Sequence, residues 1–130
     1  MNEYRIALVQ SGEEDEYLWV SLHFESESIK EDRVHIVCAT VADEQDERLG
    51  MNAIYLERLH QGQSGYGLAS SVLVGSSSIE IELTTDGSQR LELPSSLRLL
   101  WSENLPGYEP ARHHFKEMTR YDWGRIVQNT

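Results

Sequence analysis

The sequence predicts an α+β domain, a mainly antiparallel β-sheet of about six or seven strands with one C-terminal helix. Three observations carry that expectation. Over Tyr17 to Phe24, Leu18, Val20, Leu22 and Phe24 alternate with Trp19, Ser21 and His23, the two-residue period of a strand with one face buried. Ile79, Ile81 and Leu83 alternate in the same way with Glu80 and Glu82, after the turn Gly75-Ser76-Ser77-Ser78. Near the C-terminus the period changes: Ala111, Phe115 and Met118 share one helical face behind Pro110, a residue suited to a first helical turn.

The elements follow in order. Tyr4 to Val9 reads as a strand ending at the turn signal Ser11-Gly12, and Tyr17 to Phe24 as its successor. Glu25 to Asp32 reads as a solvated loop, and Val34, Ile36 and Val37 begin a strand carrying Cys38. Asp43 to Gly50 lacks apolar spacing and ends in glycine, which predicts a loop or one short helical turn. Asn52 to Leu59 alternates Ile54 and Leu56 against Tyr55 and Glu57. The glycines at 62, 65 and 67 then predict a hairpin connection with positive backbone angles. Leu68 to Val74, Ile79 to Leu83 and Leu97 to Trp101 complete the strands. Asp86-Gly87 leaves two alternatives, a direct turn into another strand or a helical turn capped by Thr85 or Asp86 and ending at Pro94. The last helix is expected from about Glu109 to Arg120.

A chain of 130 residues with 39% apolar and 25% charged residues is too apolar for wholesale disorder and long enough for one core, so one domain is expected over residues 1–130. Met1 to Gly12 lacks a basic stretch before an apolar run, which argues against a secretory signal and for a cytoplasmic protein. No apolar run approaches the length of about 20 residues that crosses a bilayer. Cys38 is alone, which excludes an intramolecular disulfide and predicts a buried, inert thiol.

The formal net charge is −11, and residues 1–50 hold 13 acidic against 4 basic side chains. Three acidic runs account for this: Glu13, Glu14, Asp15 and Glu16; then Glu25, Glu27, Glu31 and Asp32; then Asp43, Glu44, Asp46 and Glu47. Such a surface repels nucleic acid, because binding a phosphate backbone relies on cationic side chains displacing its counterions. It attracts a cationic protein.

No catalytic, cofactor or metal constellation stands out. The glycines at 62, 65 and 67 are followed by β-type sequence rather than a helix N-terminus, which leaves turn geometry as their reading rather than a phosphate cradle. His113 and Glu117 have i, i+4 spacing beside His114, but two ligands do not complete a metal site. His23, His35 and His60 lie on separate segments. In a strand, His35 and Cys38 point to opposite faces, which disfavours a thiol–imidazole pair, and Glu25 with Glu27 is not a glycosidase signal.

Between Asp46 and Gly67 an acidic turn, a short alternating strand and a glycine-rich bend follow one another. Leu49-Gly50-Met51, Tyr55, and Tyr66-Gly67 within this stretch resemble the immunity protein 10 family of bacterial polymorphic toxin systems. Ile79 to Leu83 and Arg90, Leu91, Glu92, Leu93 and Pro94 are similar to that family's central section, so the likeness spans roughly the middle half, from Tyr17 to Trp101. One departure is that Gly67 is followed by Leu68 where the family often shows a second glycine. The resemblance implies a non-catalytic immunity protein that neutralises a cognate toxin, and it favours the helical turn before Pro94. It implies a cognate toxin as partner without fixing the toxin class; the acidic charge points to a basic one, and many toxins of these systems are nucleases with cationic clefts, which fits that charge.

The partner-binding candidates are Glu13, Glu14, Asp15, Glu16, Asp43, Glu44, Asp46, Glu47, Tyr55 and Tyr66, with Trp19 and Tyr108 as further aromatic anchors. A monomer or weak homodimer is expected. Two alternatives stay open: a small metal- or ligand-binding enzyme-like domain with its pocket near His60 to Tyr66 or His113 to Glu117, and a scaffold subunit that self-associates through an exposed β-edge.

Overall fold

The computed structural model describes residues 2–41, 54–59, 62–121 and 126–128. Among the described residues nine strands and two helices run in the order β1 (Asn2–Glu13), β2 (Tyr17–Phe24), β3 (Asp32–Ala39), β4 (Tyr55–Glu57), β5 (Ser64–Tyr66), β6 (Ala69–Val74), β7 (Ser78–Leu83), α1 (Thr85–Leu91), β8 (Ser96–Leu100), α2 (Tyr108–Met118) and β9 (Ile126–Gln128). All strands belong to one sheet of order β5-β4-β3-β2-β1-β8-β7-β6-β9. Among the described strands only β1–β8 and β6–β9 pair in parallel. The α+β class and the mainly antiparallel sheet agree with the sequence, while the strand count and the second helix differ from it.

Strand β1 joins two half-sheets. Its first residues, Asn2 to Arg5, pair with β8, and its remainder, from Ile6 to Glu13, pairs with β2 across an irregularity between Ile6 and Leu8. The alternation read from the sequence is realised: Leu18, Val20, Leu22, Phe24, Val34, Ile36, Cys38 and Leu56 point inward, as do Val72, Val74, Ile79, Ile81, Leu97 and Leu99. Helix α2 lies on this inner side, with Ala111, Phe115 and Met118 fully buried and packed toward β1 and β2. Helix α1 touches both β5 and β7, so the sheet curls around the shared core.

Helix α1 has more definition than a single turn. Thr84, rather than Thr85 or Asp86, is its N-cap and accepts from the Gly87 N–H at 2.9 Å; Glu92 closes it in the left-handed region. Gly87 sits so close to the Leu68 carbonyl that a Cβ there would overlap the oxygen. Leu68, where the family often has glycine, is 2% exposed, and its carbonyl accepts from the Thr84 N–H at 2.9 Å. Helix α2 starts one residue before the expected position and ends two before it, behind Gly107 at φ 90°.

Two further expectations are corrected. The glycine bend is not merely a connection: Ser64-Gly65-Tyr66 forms β5, paired to β4, and Gly67 after it takes a positive angle, φ 67°. Glu25 to Asp32 is not simply a solvated loop, because Asp32 opens β3 as a fully buried residue. The 43–50 segment, with Leu49, Gly50 and Met51, lies outside the described residues, as does His60.

Candidate functional site

Strands β2 to β5 present a second face that none of the described helices covers. Register aligns its side chains into rows: Trp19 stands opposite Val37, Val37 opposite Tyr55, and Tyr55 opposite Tyr66. The next row is Ser21, His35, Glu57 and Ser64. An outward face of an antiparallel sheet ordinarily carries polar residues, whereas this one carries an aromatic and aliphatic row across four strands. The Tyr55 and Tyr66 rings lie 5.2 Å apart between centroids, and Trp19 sits 5.6 Å from the His35 ring.

A groove of about 440 Å³ runs along these rows, lined among others by Glu16, Tyr17, His35, Val37, Tyr55 and Tyr66. Its polar groups are distinct in charge state. Glu57 is already satisfied, accepting from Arg33 Nη2 at 2.9 Å and from the Tyr55 hydroxyl at 2.9 Å. Burial, aided by the Arg33 charge, pushes His35 below its usual pKa against the opposing effect of Glu57, so the ring is neutral near pH 7. Burial and the neighbouring Glu57 push the Tyr55 hydroxyl up, against a hydrogen bond from Ser64.

The Glu13 to Glu16 run forms the tip of the β1–β2 hairpin at one end of this groove. All four side chains are exposed, and the turn is closed by the Glu14 N–H donating to the Tyr17 carbonyl at 2.8 Å. The Thr40 N–H donates to the Glu16 carbonyl at 2.9 Å, which ties the hairpin to the end of β3. The described chain leaves β3 there, at Val41. Asp43, Glu44, Asp46 and Glu47 follow it and lie outside the described residues.

The second acidic run is at the other end of β2, and two of its members, Asp32 and Glu27, are spent on the fold while Glu25 and Glu31 are exposed. Asp32 takes two hydrogen bonds from Arg58, at 2.9 Å and 2.7 Å, and one from Ser26 at 2.7 Å. Burial opposes its ionisation, but the Arg58 and Ser26 hydrogen bonds outweigh that and hold the carboxyl below the ordinary aspartate value. Arg58 also donates to the Leu91 and Glu92 carbonyls at the end of α1, fastening the β4 edge to the helix. Glu27 accepts from the Tyr4 hydroxyl at 2.8 Å. The three acidic runs therefore do not gather with all their carboxylates free.

The aromatic candidates divide. Trp19, Tyr55 and Tyr66 share the open face, whereas Tyr108 is a core residue: its ring lies 4.6 Å from Trp101 and its hydroxyl donates to the Ser76 carbonyl at 2.7 Å. Tyr108 faces inward because it begins α2, whose buried stripe continues through Ala111 and Phe115. Tyr17, Val37 and His35 were not singled out as contact residues. The signal that finds them is the same alternation, read for its outward positions.

His113 is exposed, His114 Nδ1 lies 2.7 Å from Ser11 Oγ, and Glu117 pairs with Arg120. Among the described residues no group of three His, Cys, Asp or Glu side chains is placed to hold a metal ion. Cys38 is buried on the face opposite His35. No helix among the described residues is long and apolar enough to cross a membrane.

Fold and face together define a small α+β sheet protein that displays an aromatic row and an acidic hairpin on a side left open by its described helices. The chain matches the family model described as Immunity protein 10 over residues 3–104, and it belongs to that family. The match reaches further than the middle half that the motifs suggested, from the start of β1 to just beyond β8. Membership gives the coarse role of a toxin-neutralising protein with a toxin as its partner, in a family that is in general non-catalytic. No curated protein and no solved structure matches the chain.

Proposed function

We propose that this protein binds a cognate toxin domain stoichiometrically and neutralises it without catalysis, using an acidic surface centred on Glu13, Glu14, Asp15 and Glu16. Family membership supports the neutralising role. The single observation supporting the surface is the hairpin tip, four consecutive exposed carboxylates with no ion pair among the described residues. Asp43, Glu44, Asp46 and Glu47 follow the strand end that is tied to this hairpin, and they extend the same charge. Tyr55 and Tyr66 supply contact area beside it.

The toxin is a basic domain, as nuclease clefts are, and it is met in the cytoplasm by a monomer or weak homodimer. Clustered carboxylates raise the encounter rate with such a partner, while buried aromatic contacts set how long the complex lasts. An antidote needs both, because it must reach the toxin before the toxin reaches its substrate.

The test replaces the four hairpin acids with their amides and, separately, the four acids of the 43–47 run. Association with the toxin encoded beside this chain's gene is then followed across salt concentrations. The hairpin variant is expected to associate about tenfold more slowly at low salt, with a shallower salt dependence. An on-rate and salt slope equal to those of the unaltered protein would remove the hairpin from the reading.

A further inference from the structure

Three of the six large apolar side chains that the described protein exposes gather at one place. Tyr17 at 41%, Val41 at 63% and Tyr66 at 45% exposure all line the open-face groove. Exposed apolar residues scattered singly need no explanation, but a cluster of them rimmed by charge marks a contact surface. The groove runs on into Val37 and Tyr55, so aliphatic and aromatic side chains form much of its wall, with Glu16, His35 and Glu57 as its polar members.

Its charge is equally specific. Glu57 is engaged by Arg33 and Tyr55, His35 is held neutral by burial, and the carboxylate left without an ion pair among the described groove residues is that of Glu16. The hydrogen bond from Thr40 fixes the Glu16 main chain at the rim. One arginine already shows what this face accommodates: Arg33 lies along it with Nη2 on Glu57 and Nε donating to the Arg58 carbonyl at 2.7 Å.

Aromatic faces, apolar walls and one rim carboxylate complement a single kind of side chain. Arginine lays its methylene stem on apolar surface, stacks its weakly hydrated planar guanidinium on aromatic rings, and offers a paired set of donors to a carboxylate. Lysine is more strongly hydrated and loses more on leaving water. We propose that the groove between Tyr17, Val37, Tyr55 and Tyr66 receives an arginine side chain from a loop of the toxin, its guanidinium on Glu16. This inference rests on the toxin-neutralising reading and assigns the anchor within it.

The experiment uses the full chain and a catalytically inactivated form of the toxin encoded beside its gene. Dissociation is compared for the unaltered protein and for Tyr66→Ala, Tyr17→Ala and Glu16→Gln. Val127→Ala, an equally exposed apolar position on β9 at the far edge of the sheet, is the control. Tyr66→Ala and Glu16→Gln are expected to speed dissociation about tenfold or more, Tyr17→Ala by less, and the control not at all. One toxin arginine replaced by lysine should weaken binding comparably and add nothing further to Tyr66→Ala, the signature of a shared contact. If the unaltered protein neutralises the toxin while Tyr66→Ala and Glu16→Gln dissociate at its rate, or no toxin arginine couples to Tyr66, the groove assignment falls alone. If the unaltered protein does not bind the toxin, the neutralising reading falls and takes the groove with it.

Discussion

Strand β2 carries an acidic hairpin at each end, and the two use their carboxylates in different ways. At the β1–β2 turn, Glu13 to Glu16 are all exposed and form no ion pair among the described residues. At the β2–β3 end, Asp32 is fully buried against Arg58 and Ser26, and Glu27 holds the Tyr4 hydroxyl. Similar composition thus gives one run left open to a partner and one in which Asp32 and Glu27 are committed to the fold while Glu25 and Glu31 stay exposed. The lesson concerns reach: a carboxylate becomes structural where a long cation from another element, here Arg58 at the end of β4, is folded onto it.

The sharpest way to break this comparison is to remove the buried pair. Asp32→Asn strands the Arg58 charge in the interior and is expected to cost about 3–5 kcal/mol in a urea titration, a large fraction of the roughly 5–15 kcal/mol that holds a domain of this kind together. A loss under about 1 kcal/mol would mean that water reaches Arg58 and that the two hairpins are alike after all.

Ser26→Ala takes one hydrogen bond from the same carboxylate and is expected to cost about 1.5–3 kcal/mol, since bonds to a charged acceptor are the stronger kind. Measured in the Asp32→Asn background its effect should shrink, because the two residues share one network.

Acid sharpens the contrast by working on folded-state protonation. The folded pKa of Asp32 is lower than the ordinary value of 3.8, so its stabilisation is present above that value and is lost as pH falls through the lower folded one. His23, His35 and His114 are each held below 6.5, first by burial; their preference for the neutral form stabilises the protein above 6.5 and is withdrawn as pH drops below it. Chemical melts should therefore show two declines on acidification, one starting near 6.5 and one in the carboxylate range, where Glu27 is also held below its ordinary value by the Tyr4 hydroxyl, and Asp32→Asn should shrink the lower one.

The smallest effect is expected at the exposed hairpin. Converting Glu13, Glu14, Asp15 and Glu16 to amides should leave stability within about 0.5 kcal/mol, because exposed positions without partners contribute little, even as toxin association slows. A melting temperature that dropped as far as that of Asp32→Asn would reverse the distinction between the two runs.

Much of this was legible in the sequence. The alternation of β2 and of β7, the stripe of α2 and the first acidic run are local patterns, and each maps onto an observed element or surface. Strand β5 was not legible, because Ser64-Gly65-Tyr66 has little strand propensity of its own and is held by its ladder to β4. Nor was β9, a three-residue strand that pairs with β6 far back in the chain. Tyr108 was misread as an anchor because aromatic identity alone does not say which side of a helix meets the core. Within the candidate face, Tyr55, Tyr66 and the hairpin acids were already candidates in the sequence, while Tyr17, His35 and Val37 emerged only once register set them beside those residues.

By itself, the sequence determined the α+β class, the two-residue rhythm that separates inner from outer faces, the position of the last helix and the concentration of negative charge in the first 50 residues. These depend on neighbours along the chain. Tertiary structure alone decided which carboxylates remain free, which strands align Trp19, Val37, Tyr55 and Tyr66 into one row, and where Arg58 ends. The reason is that register and burial arise from contacts between residues distant in sequence, and the cost of burying a charge is set by whatever those contacts bring to it.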